Sequence, residues 1–474
     1  MRNSLNSTLA ATFGRLTGAA VSKMGASGMD IVERSPDLPG QSPNVGAQSP
    51  NVGAQSPNVG AQGPDLFEKS PNLFEKSQWA RHWLFEAALP LWLEHGADHH
   101  HGGWFDKLGQ DGSALPGPKR VRVQARQVFV FAEAGRLGWT GDWESGVRLG
   151  LDFMLAHYRR DDGFFRASVD ARGVAMSDTV DIYDQAFVIF ALAAAYGMLD
   201  RPDALRIEAH TLLANLHARL AHRVAGFDEA ATRVLPLRSN PHMHLLEAML
   251  AWIDLGHGGL FETTARAIVD LARDRLIDPA TGAIGEFYDG DWQFDGANGH
   301  LREPGHQFEW AYLLDACAMR LGGDHRAAVR RLADFGNRFG VRDGRVIFSV
   351  DARGKLIDGR ARLWATTERL RTMTVLGTVL GTAPGTAPGS ASDGPLTGAQ
   401  CASALAAAAQ SADVLGAFMA VPVAGLWSDW IDERGALVIE PVPASSLYHI
   451  VTGLVPLIER GASDPNRGLS AHEA

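Results

Sequence analysis

Six glycine-marked segments recur along this chain at nearly constant spacing, and that spacing restricts the fold more than any other feature. They are GGWFDKLGQDGS, GGFFRASVDARGVAM, GFDEAATRVLPL, GAIGEFYDGDWQFDG, DGRVIFSVDARGKLI and GLWSDWIDERGALVI. Each sets aromatic or β-branched positions around a turn rich in Gly, Asp or Asn, the pattern of a short β-hairpin. Between Gly103, Gly163, Gly226, Gly285, Gly344 and Gly425 the steps are 60, 63, 59, 59 and 81 residues, and the last step contains a 20-residue low-complexity stretch at 381–400. With that stretch removed the period is constant. One supersecondary unit repeated six times describes a closed or stacked array rather than unrelated domains.

The intervals between segments hold two helices each, of different character. IYDQAFVIFALAAAYGML carries no charge between Asp184 and Asp200 and is apolar on nearly every face, so it belongs inside. Its successor, PDALRIEAHTLLANLHARLAHR, has a charged face. The same alternation follows in HMHLLEAMLAWIDL and FETTARAIVDLARDRL, then in HQFEWAYLLDACAM and DHRAAVRRLADFGNRF. Six buried helices sheathed by six amphipathic ones make an all-α fold, an (α/α)6 barrel over 77–463 with short β-hairpins at one mouth. Two separate helical domains are the alternative. The constant period favours one toroid.

Residues 1–76 read differently. SPNVGAQ occurs three times over 42–62, followed by GPDLFEK and SPNLFEK, so proline falls at 43, 50, 57, 64 and 71. A helix cannot accept proline every seven residues, because each removes an amide donor and clashes with the preceding turn. This stretch is therefore expected to be a disordered extension outside the fold, and 464–474 a disordered tail. In the leading MRNSLNSTLAATFGRLTGAAVSKMG, Arg15 interrupts the one apolar stretch, so no secretory core forms; a disordered leader is preferred to a transit peptide. No apolar run of ~20 residues suggests a membrane span. The net charge of −10 argues against nucleic acid as a partner. Two cysteines, Cys317 and Cys401, are too few for a disulfide framework and fit a reducing, cytoplasmic setting.

If the inner helices run parallel, their first turns meet beside the hairpins. Polar residues gather there: Arg126, Asp184, Asn240 with His244, His306 with Glu309, Glu368 with Arg369, and His449. Asn240 and His244 are spaced i,i+4, and His306 and Glu309 i,i+3, so each pair shares a face. Helix N-termini pointing into the mouth favour an anionic intermediate. Histidines beside a carboxylate and an arginine suggest proton transfer, since histidine titrates nearest neutrality. Trp310, Trp364, Trp427 and Trp430 are candidates to stack on sugar faces. No Ser–His–Asp signature, phosphate loop or dinucleotide fingerprint stands out.

The blocks ARQVFVFAEAGRLGW, YDQAFVIFALA, NPHMHLLEA, EPGHQFEWAYLL, RLWATTERLRT and SSLYHI resemble the N-acylglucosamine 2-epimerase superfamily, from about Trp79 to Glu459. That resemblance implies an (α/α)6 barrel and deprotonation–reprotonation through an enediolate, with no metal or nicotinamide cofactor. By the same resemblance His306 and His449 are the two catalytic histidines. Arg126 stabilises enediolate charge, and Glu309 orients His306 or its neighbours. Asn240 and His244 bind hydroxyls, and Trp364 is a sugar-binding aromatic. RLWATTERL departs from related enzymes at Ala365 and Thr366, while SSLYH is similar to the isomerase-like branch. D-mannose to D-fructose is the leading reaction, with a small-molecule sugar as the only partner expected. The alternatives are 2-epimerisation of an N-acylglucosamine or of a disaccharide reducing end, a sugar phosphate bound through Arg302 and Arg369, and a non-catalytic sugar-binding protein. Glycoside hydrolysis would need two carboxylates about the scissile bond, and histidines dominate instead.

Plainer roles compete at several positions. Arg126 could pair with Glu133, and Asp184 and Glu368 are expected to cap helices or hold loops. His99, His100 and His101 read as a solvated loop rather than a metal site. His242 and His244 point to different faces of one helix, so shared ligation is not expected. Oligomeric state stays open on sequence.

Overall fold

A computed structural model describes residues 73–230, 232–378 and 396–462. Helix α1 opens as Leu73–His82 and continues through π- and α-helical turns to Gly96. It begins inside the stretch expected to be extension: Leu73 and Ser77 are buried, and Lys76 pairs with Asp413. The apolar residues of SPNLFEK overrule its proline, which sits before the helix. The rest of 1–76, most of the 381–400 stretch and the 464–474 tail lie outside the described residues.

Among the described residues eleven further helices follow: α2 Val121–Arg136, α3 Trp143–His157, α4 Ile182–Met198, α5 Asp203–Leu220, α6 Asn240–Asp254, α7 Leu260–Leu271, α8 Pro304–Leu321, α9 Arg326–Gly340, α10 Leu363–Thr378, α11 Gly398–Phe418 and α12 Ser445–Ala462. The even-numbered helices each pack on the next, and α12 returns to α2, which closes the inner ring. Every outer helix lies against the inner helix before it, and α1 covers α12, joining the two ends of the fold. Burial follows the sequence character. α4 is buried along most of its length, whereas α9 buries Val329, Leu332, Ala333, Phe335, Gly336 and Gly340, most of them on one stripe at i, i+3, i+4 and i+7, and turns its charged residues outward. α11 is long and apolar enough to cross a bilayer, which the sequence reading did not anticipate; here it packs on α10 through Ala408, Ala409, Ala412 and Leu415.

The rim is laced by short antiparallel pairings between neighbouring repeats. Lys119–Arg120 pairs with Ser168–Val169, Leu237–Arg238 with Phe287–Tyr288, Leu356–Arg362 with Trp430–Ile431, and Val442–Pro443 with Lys107–Leu108. These strands lead directly into inner helices, so the lacing fixes where each helix begins. The fifth segment is the largest hairpin, Arg345–Asp351 against Leu356–Arg362. The third departs from expectation. Among its described residues GFDEAATRVLPL contributes no hairpin, only the strand Leu237–Arg238, because it lacks the alternation of apolar and polar residues that a paired strand needs.

A second repeat feature secures the inner helices. One turn in, a polar side chain clamps the backbone of the preceding rim segment. Gln124 bonds Trp104 N and O, Gln185 bonds Phe165 N and O, and Gln307 bonds Ile284 N and O, all at 2.7–3.0 Å. His242 replaces glutamine in the third repeat, accepting from Phe227 N at 3.0 Å. All four side chains are buried, so each clamp satisfies backbone groups that water cannot reach.

Candidate active site

Helix starts place the candidate residues. Pro304, at the first position of α8, has no amide to lose and presets the helical φ, which brings His306 into the first turn. Gly305 lets α10 approach closely: a Cβ there would stand 2.4 Å from Trp364. Trp364 consequently lies between two histidines, its ring 4.9 Å from His306 and 5.7 Å from His449. All three side chains are buried.

The two histidines sit in opposed electrostatic settings. His306 Nδ1 is 2.7 Å from Glu286 Oε2 and 3.8 Å from Glu303 Oε2. Burial works against charge on this ring, but Glu286 and then Glu303 outweigh it and push its pKa up to about 10. Glu303, buried beside Glu286, is itself pushed up from the usual carboxylate range. His449 Nδ1 is 2.8 Å from Glu368 Oε1. Burial, reinforced by Arg126 and His244, holds His449 well below the ordinary histidine value. Near neutrality His306 is therefore an imidazolium and His449 a neutral imidazole.

Glu309, expected to orient His306 or its neighbours, sits beside His244. It lies 3.7 Å from His244 Nδ1, and its carboxylate belongs with Glu368 and His449 in a cluster of oxygens and nitrogens within 4.8 Å of one another; His306 is held by Glu286 instead. Both Glu309 oxygens are buried without a hydrogen-bond partner among the described residues, and burial with Glu368 and Glu247 nearby drives its pKa well up. That environment favours its protonated form. His244 is pushed down to about 4 by burial and also meets Glu247 at 3.5 Å. Beneath them Glu247 receives Tyr448 OH and Arg371 Nη2, and Arg371 reaches Glu368 at 3.6 Å.

Arg126 does not pair with Glu133, which binds Arg136. Its Nη2 donates to Tyr183 OH at 2.5 Å, its guanidinium lies 4.2 Å from the Phe187 ring centre, and its buried Nε has no partner among the described residues. Asn240, the first residue of α6, keeps a buried Oδ1 without a partner among the described residues. Asp184 binds Arg122 at 2.7 Å and ties α2 to α4, while Asp181 caps α4. Glu368 holds His449 rather than a loop.

Other expectations are corrected. Trp310 and Trp427 are fully buried in the core, Trp427 stacked on Trp92, and neither can face a sugar. Trp430 is at the rim, covered by Arg360 and Arg362. Arg302 is spent on the Gly299 and Leu301 carbonyls, and Arg369 on Asn337, Gln410 and Ser411 between helices, so neither reaches the mouth. His242 is the rim clamp described above. His100 and His101 are exposed on a loop whose amides bind Asp98.

Glu286, Glu303, Glu247, Tyr448 and Arg371 were missed on sequence. Glu303, Glu247, Arg371 and Tyr448 each lie within a block that was singled out but were given no role; Glu286 is one of several acids in its rim segment and carries no signal of its own. Among the described residues three groups have the spacing to hold a metal ion: His244, Glu247 and Glu309; Glu286, Glu303 and His306; and Glu309, Glu368 and His449.

A closed six-fold helical barrel whose mouth sets a protonated and a neutral histidine about one indole defines an enzyme that moves protons on a small polyol. The chain belongs to the N-acylglucosamine 2-epimerase (GlcNAc 2-epimerase) family, which matches residues 102–453. It is a sugar isomerase or epimerase. It is 37% identical to mannose-6-phosphate isomerase of Rhizobium meliloti over 79% of this chain and 95% of that protein. It is 22% identical to cellobiose 2-epimerase of Bacteroides fragilis over 59% and 76%. The fold is similar to solved cellobiose 2-epimerase from Spirochaeta thermophila (TM-score 0.71, 18% identity, covering 84% and 99%) and to D-mannose isomerase (TM-score 0.68, 17% identity, covering 83% and 99%).

Proposed function

We propose that the protein interconverts an unphosphorylated aldose and its ketose, D-mannose and D-fructose in the first instance. His449, neutral and oriented through Nδ1 by Glu368, takes the C2 proton at Nε2. The electron pair left behind forms the enediolate, whose charge falls near Arg126. The proton returns to C1, and His306, protonated between Glu286 and Glu303, relays protons between the sugar oxygens. The observation that carries this reading is geometric: two buried histidines flank Trp364, His306 between Glu286 and Glu303 and His449 against Glu368. Asn240 and His244 are hydroxyl ligands, and Trp364 carries the sugar face.

Phosphate is disfavoured by the charge at the mouth. Arg120, Arg122, Arg238 and Arg362 already carry Asp106, Asp184, Glu229 and Asp429. A phosphodianion would have to displace one of these carboxylates, in a chain of net charge −10. The test is turnover of D-mannose, D-mannose 6-phosphate and cellobiose followed by proton NMR. Fructose formed from mannose, with mannose 6-phosphate at least ~100-fold poorer in kcat/KM, is the expected result. Preference for the phosphate would overturn the reading of the arginines. Glucosyl-mannose formed from cellobiose, with mannose inert, would replace isomerisation by 2-epimerisation.

A further inference from the structure

We propose that the barrel has a second ligand site at the end opposite the sugar pocket, and that it takes a small organic cation. The C-terminal halves of the inner helices enclose a cavity of about 550 Å³ there. Its walls are apolar, with Phe129, Phe190, Leu250 and Leu313 among them. Ala194 and Ala251, on inner helices and apolar themselves, are only half-buried because they face this space. Its floor is Glu247 with Arg371, the ion pair that also supports His244 and Glu368, so one layer of side chains separates the cavity from the catalytic residues.

Three features give it a preference for positive charge. Four carboxylates line it, Glu133, Glu247, Asp254 and Glu459, against the three guanidiniums of Arg136, Arg320 and Arg371. Arg136 is shared by Glu133 and Glu459, while Arg320 pairs with Asp254 and Arg371 with Glu247, so one carboxylate charge is left unbalanced. Parallel inner helices also direct their C-terminal, partially negative ends to this mouth. Finally, Pro456 stands inside α12 and, like Thr452, lines the cavity; having no N–H, it gives the Thr452 carbonyl no helical donor. An ammonium group on a short apolar body matches this combination. Its charge meets the carboxylates and the aromatic faces of Phe129 and Phe190, and its body meets the aliphatic wall.

The probe is benzylammonium, titrated calorimetrically at pH 7.5 into the full chain, with benzyl alcohol as the neutral isostere. Saturable one-site binding is expected, about tenfold or more tighter for the cation, and undiminished by saturating D-mannose. Ala194→Phe should abolish it by filling the cavity. Asp254→Asn with Glu459→Gln should weaken it about tenfold without occupying the space, which keeps the test valid if the larger side chain is not accommodated. Absence of saturable binding, equal affinity for the alcohol, displacement by mannose, or indifference to both the filling and the charge variants would each overturn the proposal.

Discussion

His306 and His449 are the same residue type on neighbouring faces of one barrel, and their surroundings alone divide their labour. Two carboxylates hold the proton on His306; burial and Arg126 keep it off His449. The division has a signed consequence for pH dependence. Since the active form requires protonated His306, kcat/KM should hold across neutral pH and fall as pH rises through about 10. The same raised pKa adds stability that is present in full below the unfolded histidine value of about 6.5 and is lost as pH rises through about 10. Glu286→Gln removes the largest contribution favouring the charged ring, so the alkaline limb should move to lower pH. A pH–rate profile of that variant checks it, and an unmoved limb would show that Glu286 only packs. Glu368→Gln should lower kcat about tenfold or more with little change in KM, since it orients His449 without touching sugar.

At the scale of elements, the close approach of α8 and α10 positions Trp364 between the histidines. Gly305→Ala puts a Cβ 2.4 Å from the indole, so the variant should lose ~1–3 kcal/mol of stability and a larger share of kcat. Thermal melts with steady-state kinetics measure both, and a variant unchanged in each would mean that the indole is free to move aside. The rim clamps are equally local. Gln307→Leu strands the Ile284 N–H and C=O in a dry interior, a loss of ~1–3 kcal/mol per group by denaturant titration.

These elements also show what the letters of the chain reveal. The six-fold period and the alternation of buried and amphipathic helices were legible because every unit must bury the same faces, whatever its residues. His306, His449, Arg126 and Trp364 stood out because polar and aromatic groups in the first turns of buried helices need a reason to be there. Glu286 was hidden because its contact with His306 spans 20 residues and depends on Phe287–Tyr288 pairing with Leu237–Arg238. Glu368 was expected to cap a helix or hold a loop because its partner lies 81 residues away, on the next inner helix. Glu309 was expected to orient His306 or its neighbours, and the sequence could not say which; on its helix it faces His244, from α6.

At the scale of the whole molecule, the ring is only as good as its seam. α1 and the last rim segment meet at Trp92 and Trp427, stacked 5.4 Å apart and both fully buried. Trp92→Ala should therefore lose ~3–5 kcal/mol, seen as a lowered midpoint in urea unfolding; a midpoint within error of the parent would mean that the ring closes without this contact. Closure also brings α12, and with it His449, beside α2, which carries Arg126, so the base and the arginine meet only in the complete barrel.

The most direct test of the acid–base assignment is proton NMR of the protein and its His449→Ala variant with D-mannose in D2O at neutral pD. The parent should produce fructose with deuterium at C1, and the variant should fall by ~100-fold or more while still binding sugar. Near-parent turnover in His449→Ala would contradict the assignment of His449 as the base that removes the C2 proton.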